Sequence, residues 1–144
     1  MRLSKALYVN MNRHLILICI LLISACSADQ KSWHGISSES GEVDLAKVVI
    51  ESWDRVCFFS PYSNNDYAEK LLGFSWPIEE MSKIYKSEEI TLFVFSQGKA
   101  VTSYHEVPNY GWVNFYRLGG QCFSSNDAVF YIKAGLVEHV PKSV

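Results

Sequence analysis

The pattern of apolar and polar positions changes period along the chain. Between Val43 and Glu51 the apolar residues Val43, Leu45, Val48, Val49 and Ile50 fit either a short helix or a strand, and periodicity alone does not separate the two. Arg55-Val56-Cys57-Phe58-Phe59 has strand composition and is stopped by Ser60-Pro61-Tyr62-Ser63-Asn64-Asn65, a dense cluster of turn residues. Helical spacing follows from Asp66 to Leu72, through Tyr67, Ala68, Leu71 and Leu72, and Gly73 is the expected helix stop. Pro77 then opens a second short helix, with Ile78, Met81, Ile84 and Tyr85 on one face.

In the carboxyl half the period becomes that of strands. Ile90 to Phe95 is β-branched and aromatic, Ser96-Gln97-Gly98-Lys99 reads as a turn, and Ala100 to Val107 returns as a second strand. Trp112 to Leu118 alternates, Gly119-Gly120 turns, Gln121-Cys122-Phe123 starts another strand, and Ser124 to Asp127 turns into Ala128 to Ile132. Short helices followed by successive hairpins predict an α+β fold: short N-terminal helices packed on an antiparallel β-sheet, in a single domain.

The amino-terminal pattern is different in kind. Arg13-His14 precedes nine apolar residues, Leu15 to Ile23, and then Ser24-Ala25-Cys26. A resident transmembrane helix needs about 20 apolar residues. A basic start, a short apolar core and small residues before a cut site are the marks of a secretory signal peptide, to be excluded from the fold. Ile23-Ser24-Ala25-Cys26 resembles a bacterial lipobox, which implies cleavage before Cys26 and acylation of its thiol and new amino group. Acyl chains contribute about 0.8 kcal/mol per buried methylene, and two or more hold a protein stably on a bilayer. Ser27, rather than Asp, after the lipid-bearing cysteine implies sorting to the outer membrane, facing the periplasm. The expected organisation is therefore a signal peptide over 1–25, a flexible tether over 26–42 and a single domain over 43–144. The tether is rich in Ser, Asp, Gln, Lys, Gly and Glu, with Trp33 its one large apolar side chain, and such a stretch cannot bury enough to offset its ordering entropy.

Composition sharpens the picture of the exported part. Three of the 13 Lys and Arg residues (Arg2, Lys5 and Arg13) precede Cys26 and none of the 15 Asp and Glu residues does, which leaves 10 against 15, a formal charge of −5. That balance argues against nucleic acid or anionic lipid headgroups as partners. With Cys19 in the signal peptide and Cys26 committed to lipid, Cys57 and Cys122 are the two remaining thiols in an oxidising compartment, and they read as one disulfide. A metal pair or a redox-active dithiol is the alternative, but no C-x-x-C occurs and no second Cys or His lies near either one in sequence.

Catalytic patterns are sparse. The chain has no G-x-S-x-G elbow, no Gly-rich phosphate loop and no H-E-x-x-H. His105, flanked by Tyr104 and Glu106, is the one His inside the expected strands, and a lone His on a strand is usually exposed or hydrogen-bonded. The doublets Glu79-Glu80 and Glu88-Glu89 bracket the second helix, where charges are normally solvated. No enzyme activity, cofactor or metal is expected. Pro108-Asn109-Tyr110-Gly111-Trp112 joins two strands and places aromatic side chains beside turn residues. Tyr and Trp dominate binding hot spots, so Asn109, Tyr110 and Trp112 are the candidate partner-binding residues, unless the rings fold back onto the core.

Trp53-Asp54-Arg55-Val56-Cys57-Phe58-Phe59-Ser60-Pro61-Tyr62, with Ala68, Leu72-Gly73-Phe74, Trp76 and Gly119-Gly120-Gln121-Cys122-Phe123, resembles a group of small lipoproteins of Gram-negative bacteria. Some of these are regarded as periplasmic immunity proteins against type VI secreted phospholipases. The resemblance spans most of residues 53–132 and implies a binding protein that neutralises a toxin, held on the bilayer through acylated Cys26; an envelope-maintenance or ligand-binding lipoprotein is the alternative. Its motifs are structural, so no residue carries over as catalytic.

Replacing Cys26 with Ala is expected to abolish lipid attachment, leaving an uncleaved precursor or a soluble species. Metabolic labelling with a palmitate analogue checks this, and a labelled Ala variant would remove the lipoprotein assignment.

Overall fold

The computed structural model describes residue 36, residues 41–110 and residues 113–141. The expected signal peptide, Cys26, Trp33 and Trp112 lie outside the described residues.

The chain forms an α+β domain with two antiparallel sheets. Strand β1 (Gly41–Asp44) runs directly into a one-turn helix α1 (Leu45–Val48), so the ambiguous stretch after Val43 contains both elements. Asp44 makes the switch: its side chain accepts the Ala46 N–H at 3.1 Å and caps the turn. Strand β2 (Arg55–Phe59) leads to helix α2 (Asn65–Leu72) and a one-turn helix α3 (Ile78–Met81). Then come β3 (Ile90–Gln97), β4 (Ala100–Pro108), β5 (Cys122–Ser124), β6 (Val129–Lys133) and β7 (Leu136–His139). One sheet has the order β4-β3-β2-β5 and the other β1-β6-β7.

The four-stranded sheet is buried on both faces, and the alternation along its central strands shows how. Val56 and Phe58 of β2, with Phe93 and Phe95 of β3, point into a core shared with Phe123, Phe130, Ile132 and Val137. Cys57 and Phe59, with Leu92 and Val94, point the opposite way onto Ala68, Leu72, Ile78 and Ile84 of the helical segments. Ordering is thus sheet, sheet, helices, which is why β2 and β3 read as continuous apolar runs rather than as alternating ones. Phe58 is the hub of the inter-sheet core, with ring centroids 4.5 Å from Phe93, 5.6 Å from Phe130, 5.8 Å from Phe123 and 6.4 Å from Phe115.

Several expectations are corrected. The helices are not N-terminal, because β1 and β2 precede α2 and α3. The second helix does not run on to Tyr85: it ends at Met81, Ser82 is extended, and Lys83–Lys86 forms a separate 3₁₀ turn. Ser82 Oγ accepts the Ile84 N–H at 3.1 Å and donates to Glu106 at 2.8 Å, and these bonds replace helix continuation. Ile78 and Ile84 are buried while Met81 and Tyr85 are exposed, so the four do not share a face. The alternating segment from Trp112 to Leu118 is not a strand in its described part. Val113 and Phe115 are buried, Asn114 makes a single parallel bridge to Leu136, and Tyr116–Leu118 is a 3₁₀ turn. Two sheets replace the one expected, and β7 is an addition made by the two-residue turn Ala134-Gly135, with positive φ at both residues. Ordered structure also begins within the expected tether, since Gly41 and Glu42 pair with β6 and Ile36 is buried in the inter-sheet core.

Cys57 and Cys122 form a disulfide between directly opposed residues of β2 and β5, with Cα atoms 4.1 Å apart. The Phe58 N–H donates to Gln121 O at 2.9 Å, which makes the cysteines a non-hydrogen-bonded pair, the closer of the two antiparallel pair types. The bond fixes the register of the three-residue edge strand β5. It closes a loop across a sequence separation of 65 residues. Replacing both cysteines with Ala is expected to lower unfolding free energy by about 2 to 4 kcal/mol in chemical denaturation, the upper figure being the chain-entropy value. An unchanged midpoint would refute it.

Candidate functional site

Ser60 to Asn64 leave the end of β2 and turn into α2. Ser63 Oγ donates to Ser60 O at 2.6 Å, and Asn64 caps α2 by accepting the Tyr67 N–H at 2.9 Å. Asn65 and Glu79 exchange bonds, each backbone N–H donating to the other's side chain at 3.0 and 3.2 Å, so the starts of α2 and α3 hold one another. From across the sheet edge the Gly119-Gly120 turn presses on this loop. A Cβ at Gly119 would overlap the Ser60 hydroxyl, and one at Gly120 would stand 2.7 Å from the Tyr67 hydroxyl. Gly120 also needs its glycine for a φ of +81°.

Within this loop Tyr62 adopts a φ of +64°. The left-handed region costs a residue with a Cβ about 1 to 2 kcal/mol. The ring recovers little of that by burial, since Tyr62 is 61% exposed. Its N–H donates to Ile84 O at 2.8 Å and its hydroxyl donates to Glu88 Oε2 at 3.3 Å. The Glu88 charge, with smaller contributions from desolvation and the hydrogen bond, raises the phenol above its ordinary value and keeps it a donor. Ser60, Pro61, Tyr62, Asn64 and Tyr67 line an open cleft of about 450 Å³ beside it.

Glu88 connects this loop to the segment singled out by sequence. Asn109 donates its N–H to Glu89 O at 2.7 Å and its carboxamide to Glu88 O at 3.4 Å, and it accepts the Thr91 hydroxyl at 2.5 Å. Its side chain is thus engaged inside the domain, where it positions the next residue. Tyr110 is 63% exposed and does not fold back. Val113 and Phe115 return the chain to the core. The surface therefore carries Tyr62 and Tyr110 on two loops that both bond to Glu88, with Glu89 adjoining. Tyr62 was not a candidate from sequence; a tyrosine amid Pro, Ser and Asn turn residues was the available signal.

Other chemistry-bearing residues are dispersed. Strand alternation places His105 on the inter-sheet face, where it meets the Phe95 ring at 5.8 Å, and Glu106 on the helical face. The two cannot act together from one face. Glu106 accepts from Ser82 Oγ at 2.8 Å and the Lys83 N–H at 2.9 Å, and lies 3.4 Å from the Lys83 ammonium. It thereby pins the segment whose Ile84 carbonyl holds Tyr62. Among the described residues no three His, Cys, Asp or Glu side chains gather in a metal-holding group, and no helix is long and apolar enough to cross a membrane. Comparison with family models, curated proteins and solved structures finds no match for this chain.

Burial alone would push the Glu106 carboxyl up, but the Lys83 N–H, the Ser82 hydroxyl and the Lys83 charge together hold it below its ordinary value, about 4.5. Its stabilising contribution is therefore complete above that value and is lost as pH falls through the lower folded one. Glu106→Gln is expected to lower stability by about 1 kcal/mol at pH 7, screening by solvent included, and the deficit should shrink below pH 4. Thermal melts of both proteins from pH 3 to 7 check this, and a pH-independent difference would contradict it.

Proposed function

We propose that the domain is a lipid-anchored binding protein of the periplasm, and that it serves as an immunity protein against a type VI secreted, phospholipase-type toxin. One observation supports the binding role above the others: Tyr62 is an exposed aromatic ring held in a strained backbone conformation, joined through Glu88 to the loop that exposes Tyr110. Strain of this kind persists only where surrounding bonds over-determine it, and it gathers at ligand-contacting positions. Rigid tyrosines beside carboxylates suit a partner face that is basic and has recesses for rings. Aromatic side chains there bury much area for little lost rotamer freedom. The toxin class rests on the sequence resemblance, and the anchor is Cys26 on the periplasmic face of the outer membrane.

The test looks for a type VI phospholipase gene beside this one and, with that enzyme and the purified domain, takes lipase inhibition as the readout. Tyr110→Ala is expected to weaken inhibition about thirtyfold, near 2 kcal/mol, with little change in melting temperature. Tyr62→Gly separates binding from folding, because glycine relieves the left-handed strain. It should weaken inhibition similarly while leaving stability equal or up to about 1 kcal/mol higher. Full inhibition by both variants would remove this surface, and no inhibition by the unaltered domain would remove the immunity role.

A further inference from the structure

The opposite end of β2 carries a second feature, independent of the tyrosine surface. Arg55, the first residue of the strand, is half-buried, and its guanidinium donates through Nη2 to Leu72 O, the last residue of α2. This caps the carboxyl end of the helix, where a cation is favoured. It uses one N–H, whereas a guanidinium presents five in a fixed fork. No carboxylate lies within ion-pair distance of Arg55 among the described residues. Partly buried cations are normally paired with an anion, because desolvation of the charge is otherwise uncompensated.

Arg55 and the Leu72 it caps both line an open cleft of about 460 Å³. Two glycine turns form its rims. Gly73 ends α2 at φ +79° and Gly98 sits in the β3–β4 turn at φ +59°, and a Cβ on either would meet nothing within 4 Å. Space above both backbones is therefore open to a ligand. Phe74, half-buried, supplies an apolar wall, and Lys99 brings a second cation, itself without a carboxylate partner among the described residues. Asp54 is the one acidic residue of the lining, and its Oδ2 accepts the Gly98 N–H at 2.8 Å, which orients it toward the turn. The lining holds two cations against one anion in a protein whose exported part is acidic overall.

We propose that this cleft is an oxyanion-binding site, in which the Arg55 fork takes a phosphate-class group, Lys99 adds a point charge from the rim, and Phe74 contacts whatever apolar portion the group carries. Arginine matches the geometry of tetrahedral and planar oxyanions through paired N–H donors, and lysine adds charge without that geometry. The same chemistry is offered by free inorganic phosphate and by a phospholipid headgroup.

The test is a titration of the isotopically labelled domain with inorganic phosphate, followed through the Arg55 side-chain N–H and the Gly73 and Gly98 amides, with a parallel arm of phosphatidylglycerol-containing vesicles read by co-sedimentation. Saturable shifts at these three residues with a Kd of about 1 mM or tighter are expected for free phosphate. Sedimentation with anionic vesicles but not with phosphatidylcholine vesicles assigns the headgroup instead. Lys99→Gln, an exposed substitution, should weaken either interaction about threefold. Arg55→Lys keeps the charge at the helix end but removes the fork, and should weaken it at least tenfold while the fold is retained by circular dichroism. Lys70→Gln, outside the lining, should change neither. The proposal is overturned if neither probe binds, or if Arg55→Lys and Lys99→Gln bind as tightly as the unaltered domain.

Discussion

Phe58 meets four other phenylalanine rings on one side of β2, and one residue to either side Cys57 and Phe59 enter the helical layer on the other. Four consecutive residues, Val56 to Phe59, thus supply the centre of both cores. A slip of one position would exchange the two faces and drive Phe58 into the space that fits Cys57 and Phe59, so the register of β2 is strongly specified. The disulfide reinforces the same choice from the side, since it forms only when Cys57 stands opposite Cys122. Everything attached to the ends of β2 inherits that precision. Arg55 lies at one end and the Ser60 to Asn64 loop at the other, about 17 Å away along an extended strand.

How far the sequence could be read follows from which forces are local. β2, β3 and β4 were legible because strand composition and the turn residues around 60–65 and 98–99 lie within the segments themselves, although β3 runs on to Gln97 where the turn was expected to begin at Ser96. The end of α2 at Gly73 was legible for the same reason, and the disulfide followed from counting the thiols outside the expected signal peptide and lipobox. The break at Ser82 was not, since its cause is the Glu106 carboxylate 24 residues further on, which takes the Ser82 hydroxyl and the Lys83 N–H. Two sheets could have been suspected from the unbroken apolar runs at 56–59 and 90–95, which need cover on both faces. β7 was hidden because Ala134 occupies a positive-φ turn position where Asn, Asp or Gly would have signalled a hairpin.

Of the candidate surface, the exposure of Tyr110 was legible as an aromatic beside turn residues, while the inward bonds of Asn109 were not. The Asn109 carboxamide and backbone are engaged with Thr91, Glu88 and Glu89, so it holds the loop's geometry. Tyr62 was missed because nothing in its neighbours states that tyrosine, rather than Asn or Ser, takes the left-handed conformation. Tertiary bonds impose it. The Ile84 carbonyl fixes its N–H, Ser63 and Asn64 fix the turn after it, and the close approach of Gly119 to Ser60 leaves the loop no room to relax.

That arrangement makes Glu106 and Tyr62 parts of one chain of constraint running across the helical layer: carboxylate to Ser82 and Lys83, then the 3₁₀ turn, then Ile84 O to Tyr62. The strain at Tyr62, about 1 to 2 kcal/mol, is comparable with what a few such bonds return. A loop so balanced holds its ring in one place without contributing net stability. In the proposed binding role, a ring ordered beforehand lowers the entropic cost of association, because less freedom remains to be lost on contact. The two ends of β2 also differ in charge, with Glu88 and Glu89 near the tyrosines and Arg55 and Lys99 at the far cleft. A basic partner is therefore drawn toward the tyrosine end and repelled from the other, which orients the encounter before any ring is buried.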